Sequence, residues 1–337
     1  MRDYIDKIHS RHNLTHEEIT LVMELIMNGH ASGEEIRDFL LALNAKGPTV
    51  EEITACALMM RKFVVPIKTK HEVVLDTCGT GGDHKGTFNI STTAAFVIAS
   101  CGVAVAKHGN RSVSSQCGSA DVLETLGVNV HLNDVLVSEC LDKVGIAFLF
   151  AQQLHPAMKN VAPVRQALGI KTIFNILGPL TNPALATHQI VGVYSRDLVE
   201  PIAEVLMNLG LKRALVVHGN DGLDEITTTG QTFISEYNGK EVISYNIDPR
   251  ELGIVRAKTE DFAGGDKQQN AEIMRAILKS QKGPKRDIVL VNAAYGLYIV
   301  GAVDNITHGL HMVEHAIDSG RAFQKLEELK EFTNRAR

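Results

Sequence analysis

The chain predicts an α/β protein: a large α/β domain with a mostly parallel central sheet, plus a small all-helical domain. Three observations carry that expectation. The first 66 residues hold three helix starts of one kind and no strand pattern. From about residue 70 onward, short apolar runs alternate with helical stripes, as parallel strands and crossover helices do. The length, 337 residues, also exceeds what one small core needs.

The helix starts are capping boxes. Thr15, Ser32 and Thr49 each stand three positions before a glutamate: Glu18, Glu35 and Glu52. Each leads into an apolar stripe at helical spacing: Ile19, Val22, Met23, Ile26; Ile36, Phe39, Leu40, Leu43; and Ile53, Cys56, Ala57, Met60. Asn28-Gly29 and Gly47-Pro48 mark the breaks. Each unit is a single helix, so the pattern reads as a small bundle and not a solenoid. Helices this short need a partner surface. The expected division is 1–66 for the small domain, joined by helices near 155–185, and 70–337 for the large one.

Buried-strand candidates follow at 73–75, 103–106, 146–150, 190–194, 214–218 and 288–292. Helical patterns lie at 91–100, 198–209 and 270–279. The stretch 230–246 alternates polar residues around Asn238-Gly239 and reads as an antiparallel excursion. Residues 310–337 read as helical, ending in a charged, solvated face.

Composition narrows the function classes. Hydrophobic residues make up 45% and charged residues 22%, ordinary for a globular protein. No run approaches the roughly 18 apolar residues of a membrane helix. The N-terminus lacks an apolar signal core. A cytoplasmic protein without membrane contact is expected. Five scattered cysteines with no CxxC pair argue against a disulfide framework or a zinc site. A net charge of -5 disfavours nucleic acid as a partner, so any polyanionic ligand must be met by a local concentration of donors.

Two segments supply such donors. Asp76-Thr77-Cys78-Gly79-Thr80-Gly81-Gly82-Asp83 reads as a strand running into a glycine-rich turn whose N–H groups can approach a ligand closely. A dinucleotide fingerprint from Gly79 would need glycine where His84 stands, and a P-loop would need its lysine after the glycine, whereas Lys85 precedes Gly86. Ser91 then reads as the N-cap of a helix, whose free N–H groups and dipole suit phosphate. The second segment, 106–119, carries Lys107, His108 and Arg111 among serines and glycines, a local positive patch. Loops at the carboxyl ends of neighbouring parallel strands converge on one crevice. Downstream, Asp221, Asp224 and Glu225 offer oxygen ligands for a hard cation, although a bare acidic pair is more often a loop or helix start. Arg165 has the planar fork that suits a carboxylate.

These segments resemble the anthranilate phosphoribosyltransferase family. The likeness lies in 76–83 with Thr87-Phe88-Asn89-Ile90-Ser91-Thr92, in 107–119, in His155-Pro156-Ala157-Met158 through Arg165 and 174–183, and in 221–225. It spans essentially the whole chain. It implies a nucleoside-phosphorylase-like fold, a homodimer, and the substrates 5-phosphoribosyl-1-diphosphate and anthranilate, with two magnesium ions per subunit. On the matched positions it implies that Gly79, Gly82, Asp83, Thr87, Asn89, Ile90, Ser91 and Thr92 line the diphosphate substrate. Lys107, His108, Gly109, Asn110, Arg111, Ser112, Val113, Ser114, Ser115 and Ser119 would do the same from the second loop. Gly79, Asn110 and Arg165 would meet anthranilate, with His108, His155 and Pro179 shaping its approach. Ser91, Asp224 and Glu225 would organise magnesium. No dedicated acid or base is implied. Gln166 stands where a second basic residue is common. Two rivals share the fold: a pyrimidine nucleoside phosphorylase, which Asn110 and 175–183 argue against, and a noncatalytic nucleic-acid binder, which the acidic balance argues against.

Overall fold

The structure is a computed structural model and describes residues 1–112 and 116–335. Val113, Ser114 and Ser115 of the expected second loop lie outside the described residues, as do 336 and 337.

Helices α1 (Arg2–His9), α2 (His16–Met27), α3 (Gly33–Lys46) and α4 (Val50–Lys62) come first. All three capping boxes form. In the last of them Glu52 accepts from the Thr49 N–H at 2.8 Å, while the Thr49 hydroxyl accepts from the Glu52 N–H at 3.2 Å. Glu52 is buried, and it also takes the Leu14 N–H at 2.9 Å and the Lys46 ammonium at 2.8 Å. One cap residue thus joins α4 to α3 and to the loop before α2.

The sheet begins with β1 (Val74–Gly79), α5 (Ile90–Ser100), β2 (Ala104–Gly109), α6 (Ser119–Thr125), α7 (Asp134–Val144) and β3 (Ile146–Phe150). Three short helices follow: α8 (Ala151–Leu154), α9 (Ala162–Leu168) and α10 (Ile173–Leu177). Then come β4 (His188–Gly192), α11 (Val199–Asn208), β5 (Arg213–Gly219), β6 (Thr232–Tyr237) and β7 (Val242–Ile247). The chain closes with α12 (Lys267–Leu278), α13 (Pro284–Ile299), α14 (Ile306–Asp318) and α15 (Arg321–Arg335). The strand order is β3-β2-β1-β4-β5-β6-β7, parallel through β5 and antiparallel at β6 and β7. The antiparallel excursion forms as its turn signal implied.

Two apolar cores flank this sheet. One packs α5, α13, α14 and α15 on one face. The other merges α1 to α4 with Ala157, Ile173 and Phe174 and with α11 on the opposite face. Among the described residues no helix is long and apolar enough to cross a membrane. No disulfide joins any of the five cysteines, and all but half-buried Cys101 are buried.

Two sequence expectations fail here. The run 288–292 is not a strand but the middle of α13. That helix is buried on nearly every side between α5 and α14, so no polar face reveals its period, and a short apolar run fits either element. The C-terminal helix α15 is also not simply a solvated face. It turns Ala322, Leu326, Leu329 and Thr333 inward against α5 and α7, and only its charged side faces water.

Candidate active site

The strand order reverses at β1. The chain winds outward through β2 and β3, then returns to place β4 on the other side of β1. A ligand crevice is expected at the carboxyl ends of strands at such a switch point. Gly79 ends β1 and pairs with Gly192, which ends β4. Above them sits the loop of Asp224. A Cβ on Gly192 would stand 1.6 Å from the Asp224 carbonyl oxygen, and one on Gly79 would stand 2.6 Å from its carboxylate. Only two bare glycines let the acidic loop lie this close to the sheet.

The acidic loop grips both halves of the glycine-rich segment. Asp224 Oδ2 accepts the Gly81 N–H at 3.0 Å, and Glu225 Oε1 accepts the Ser91 N–H at 3.1 Å. Ser91 is therefore not the N-cap. Helix α5 starts at Ile90, Asn89 is the cap residue but its side chain donates to the Cys117 carbonyl and not to the helix, and the Glu225 carboxylate serves the helix end. Sequence could not show this, because the capping carboxylate lies 134 residues away. Burial and the neighbouring Asp83 push Asp224 up to about 7. Burial and Asp224 push Glu225 up to about 8, against the pull of Lys107. Asn292 of α13 fixes the acidic loop, accepting the Ile226 N–H at 3.1 Å and donating to the Ile226 carbonyl at 2.9 Å.

The described residues hold no ready-made group of three His, Cys, Asp or Glu side chains for a metal ion. Asp224 and Glu225, the latter at the Ser91 N–H, nevertheless form an all-oxygen donor set, and a cation would relieve the repulsion between the two neighbouring carboxylates. That chemistry fits magnesium, which takes few protein ligands and keeps waters.

The positive patch differs from its expectation. Lys107 belongs to β2, not to a solvent-facing loop, and is buried. Its ammonium donates to the Thr77 carbonyl at 2.5 Å and to the His108 carbonyl at 3.4 Å. Its charge draws down the carboxyls of buried Asp76 and half-buried Glu225, although desolvation leaves both raised. Arg111 turns away, pairing with Asp121 at 2.9 Å and Glu124 at 2.7 Å. His108 adds no charge, since burial, His155 and Lys107 hold it well below the ordinary imidazole value. Several of the loop's donors are already engaged within the protein. The Ser119 hydroxyl donates to the Asn110 carbonyl at 3.2 Å, and the Ser112 and Gly118 N–H groups share Asp121 Oδ2. Ile90 and Thr92 are buried, so they can offer a ligand only backbone groups.

On the opposite wall, His155 Nε2 stands 3.0 Å from His108 Nε2, and burial pushes His155 down to about 4. Arg165 on α9 lies 5.7 Å from the Phe174 ring centre and has no carboxylate partner among the described residues. The Pro179 carbonyl accepts from Gln189 Nε2 at 2.9 Å. Asn182 and Gln189, which sequence reading missed, reach Asp76 Oδ2 at 2.8 and 3.3 Å beneath the site. The polar pair His188-Gln189 opening an otherwise apolar strand was the available signal for Gln189.

The histidine pair gives a pH expectation. A depressed histidine contributes stability that is present above the unfolded value of about 6.5 and is lost as pH falls through its folded value. For His155 that window is 6.5 down to about 4. Thermal melts of His155→Gln should therefore lose less stability than the parent across this window, by on the order of 1–3 kcal/mol at its acid end.

Residues 71–323 match the a/b domain of the glycosyl transferase family, and 2–64 match its helical bundle domain. An anthranilate phosphoribosyltransferase from Acetivibrio thermocellus is 52% identical over 334 residues, covering 99% of this chain and 97% of its own length. The chain belongs to the anthranilate phosphoribosyltransferase family. The anthranilate phosphoribosyltransferase structure from Thermus thermophilus superposes with a TM-score of 0.93 at 42% identity, over 98% of this chain and 99% of that one. The anthranilate phosphoribosyltransferase of Saccharomyces cerevisiae, in complex with PRPP and Mg, gives 0.86 at 27% identity, over 95% and 92%. The same yeast enzyme in complex with 4-fluoroanthranilate gives 0.84 at 26%, over 95% and 92%. The α/β fold with its N-terminal helical bundle is thus that of the anthranilate phosphoribosyltransferases.

Proposed function

We propose that the protein transfers the phosphoribosyl group of 5-phosphoribosyl-1-diphosphate to the amino group of anthranilate, giving N-(5-phosphoribosyl)anthranilate and diphosphate in tryptophan biosynthesis. The observation that carries this is the switch-point apposition of Gly79 and Gly192 beneath Asp224, with the glycine turn on one side and Glu225 at the start of α5 on the other. It makes one crevice that offers amide donors to a polyanion and carboxylates to a cation. The complexes of the yeast relative support both ligand types.

In this reaction the bond from the anomeric carbon to the diphosphate oxygen breaks, the bond to the amine nitrogen forms, and the amine proton leaves. Asp224 and Glu225, with Ser91, would hold two magnesium ions per subunit. Magnesium supplies charge stabilisation to the departing diphosphate. Gly79, Gly82, Asp83, Thr87 and Asn89 to Thr92 would line that substrate, and the second loop would meet it through Gly109, Asn110 and Ser119, with Lys107 acting from beneath and Arg111 set aside in its ion pairs. The free amide groups of the turn favour its developing negative charge. Arg165 presents two donors to the anthranilate carboxylate, Asn110 and Gly79 meet the ring, and His108, His155 and Pro179 bound its approach. An aromatic amine is already neutral at pH 7, so positioning is assigned the main role and no side chain is assigned as general base.

The family likeness extends the proposal to a cytoplasmic homodimer and to the division at 1–66 and 70–337. Support for the joining helices near 155–185 comes from the core shared by α1 to α4 with Ala157, Ile173 and Phe174.

Loss of anthranilate fluorescence on adding the diphosphate donor tests the reaction, and it should require magnesium. Arg165→Gln should raise KM for anthranilate by about tenfold or more, the worth of a lost charged bidentate contact. It should leave KM for the donor within about threefold. No magnesium-dependent signal from the unaltered protein would sink the assignment.

A further inference from the structure

Lys171 lies between α9 and α10 and has no place in the roles assigned above. Its ammonium donates to the Gly82 carbonyl at 2.7 Å and sits 3.6 Å from the Tyr194 ring centre. Among the described residues no carboxylate pairs with it within ion-pair distance. Both of its partners are neutral, so its charge is not cancelled locally. Gly82 has φ +73°, and a Cβ there would come 3.1 Å from Lys171 Cε, so the turn presents bare backbone to the ammonium.

The glycine turn is fastened at several points. The Thr80 N–H donates to the Gly192 carbonyl at 2.9 Å, and the Tyr194 N–H donates to Thr80 Oγ1 at 3.0 Å. The Gly81 N–H meets Asp224. Those fastenings come from β4 and from the loop after β5. The one at Gly82 comes instead from the segment that follows Arg165 and α9, and α9 packs on α3. A single side chain therefore ties the phosphate-facing turn to the elements carrying the carboxylate-facing arginine.

We propose that Lys171 is a positioning residue of the donor site: its ammonium holds Gly82, fixes the glycine turn, and adds an uncancelled positive charge at the rim where the anionic sugar phosphate binds. This rests on the donor assignment above. It predicts that the lysine serves binding of the diphosphate substrate and not that of anthranilate.

The test uses the full chain as Lys171→Met and Lys171→Arg, with magnesium and both substrates. Lys171→Met should raise KM for the donor about tenfold, the worth of one charged hydrogen bond. kcat and the anthranilate KM should stay within about threefold. Lys171→Arg, which can still donate and stack, should recover donor KM to within about threefold. Melting temperatures of the three proteins should agree. Amide hydrogen exchange at residues 80–86 of the ligand-free protein should be about tenfold faster in Lys171→Met than in the parent, whatever the enzyme acts on. A donor KM within twofold of the parent overturns the proposal. So does an equal rise in both KM values with a fall in melting temperature, or unchanged exchange over 80–86. An unaltered protein with no magnesium-dependent activity defeats the functional assignment itself, and the exchange experiment then still decides whether Lys171 holds the turn.

Discussion

Glu225→Gln and Asp224→Asn should each lower kcat/KM by about 10²–10³-fold, the usual loss when one charge-stabilising group is removed from an active site. Each should leave the fold as stable as before or more so. The two effects have opposite signs because the same carboxylates serve the reaction and burden the metal-free fold. The amides are isosteric and can still accept the Gly81 and Ser91 N–H groups that the carboxylates accept now. What they lose is the charge that attracts a cation. A carboxyl whose folded pKa is raised contributes stability that is fully present below its unfolded value, about 4, and is lost as pH rises through its folded value. For this pair the loss runs from about pH 4 through about 7 for Asp224 and about 8 for Glu225. Metal-free parent protein should therefore melt at progressively lower temperature from pH 5 to pH 9. The variants should be flatter, by on the order of 1–2 kcal/mol at pH 9 after allowing for partial exposure. Magnesium should restore the parent at high pH and do little for the variants. Parallel melts and initial rates check both signs. A variant that keeps full magnesium-dependent activity would remove the acid pair from the mechanism.

Lys107→Met should have the largest effect on stability. The lysine is the buried cation whose charge draws down Asp76 beneath the site and Glu225 within it. Asp76 is fully buried, and it accepts from the His108 N–H at 3.1 Å and from Asn182 at 2.8 Å. The ammonium is hydrogen-bonded to the Thr77 and His108 carbonyls and attracts Asp76 from beyond ion-pair distance, so its loss costs about 2–4 kcal/mol, the worth of charged hydrogen bonds plus that attraction. Glu225 should then hold its proton to higher pH, which weakens the cation site as well. Denaturant midpoints should show the loss, and adding Asp76→Asn should recover part of it, because removing both charges is less costly than removing one. If the double variant is no more stable than Lys107→Met, the coupling between Lys107 and Asp76 is not what supports this region.

Much of this architecture was legible because its signals are local. A capping box is decided by four residues, and all three formed. A glycine-rich turn after an apolar run needs only its own backbone freedom. Asn238-Gly239 marked the antiparallel turn between β6 and β7, and 146–150 is β3 to the residue. The failures share a cause. The run 288–292 lacks a polar face because α13 is enclosed, and enclosure is a property of its neighbours. Ser91 satisfied the rule for a cap, yet a carboxylate from a distant loop took that place. Lys107 and Arg111 looked alike as cations in one segment. The register of β2 buries the first, and α6 supplies acids to the second.

The helical beginning, the α/β body, the glycine-rich turn and, through resemblance, the family were legible in the chain alone. These follow from propensity, periodicity and motifs a few residues long. That the order of strands reverses at β1, that Gly79 and Gly192 meet under Asp224, and that Glu225 closes the start of α5 came from packing. Packing likewise leaves Arg165 and Lys171 without a carboxylate partner among the described residues, while Arg111 is paired and Lys107 buried. Partner choice between residues more than a hundred positions apart is set by strand order and close packing, and nothing within a short stretch of chain records it.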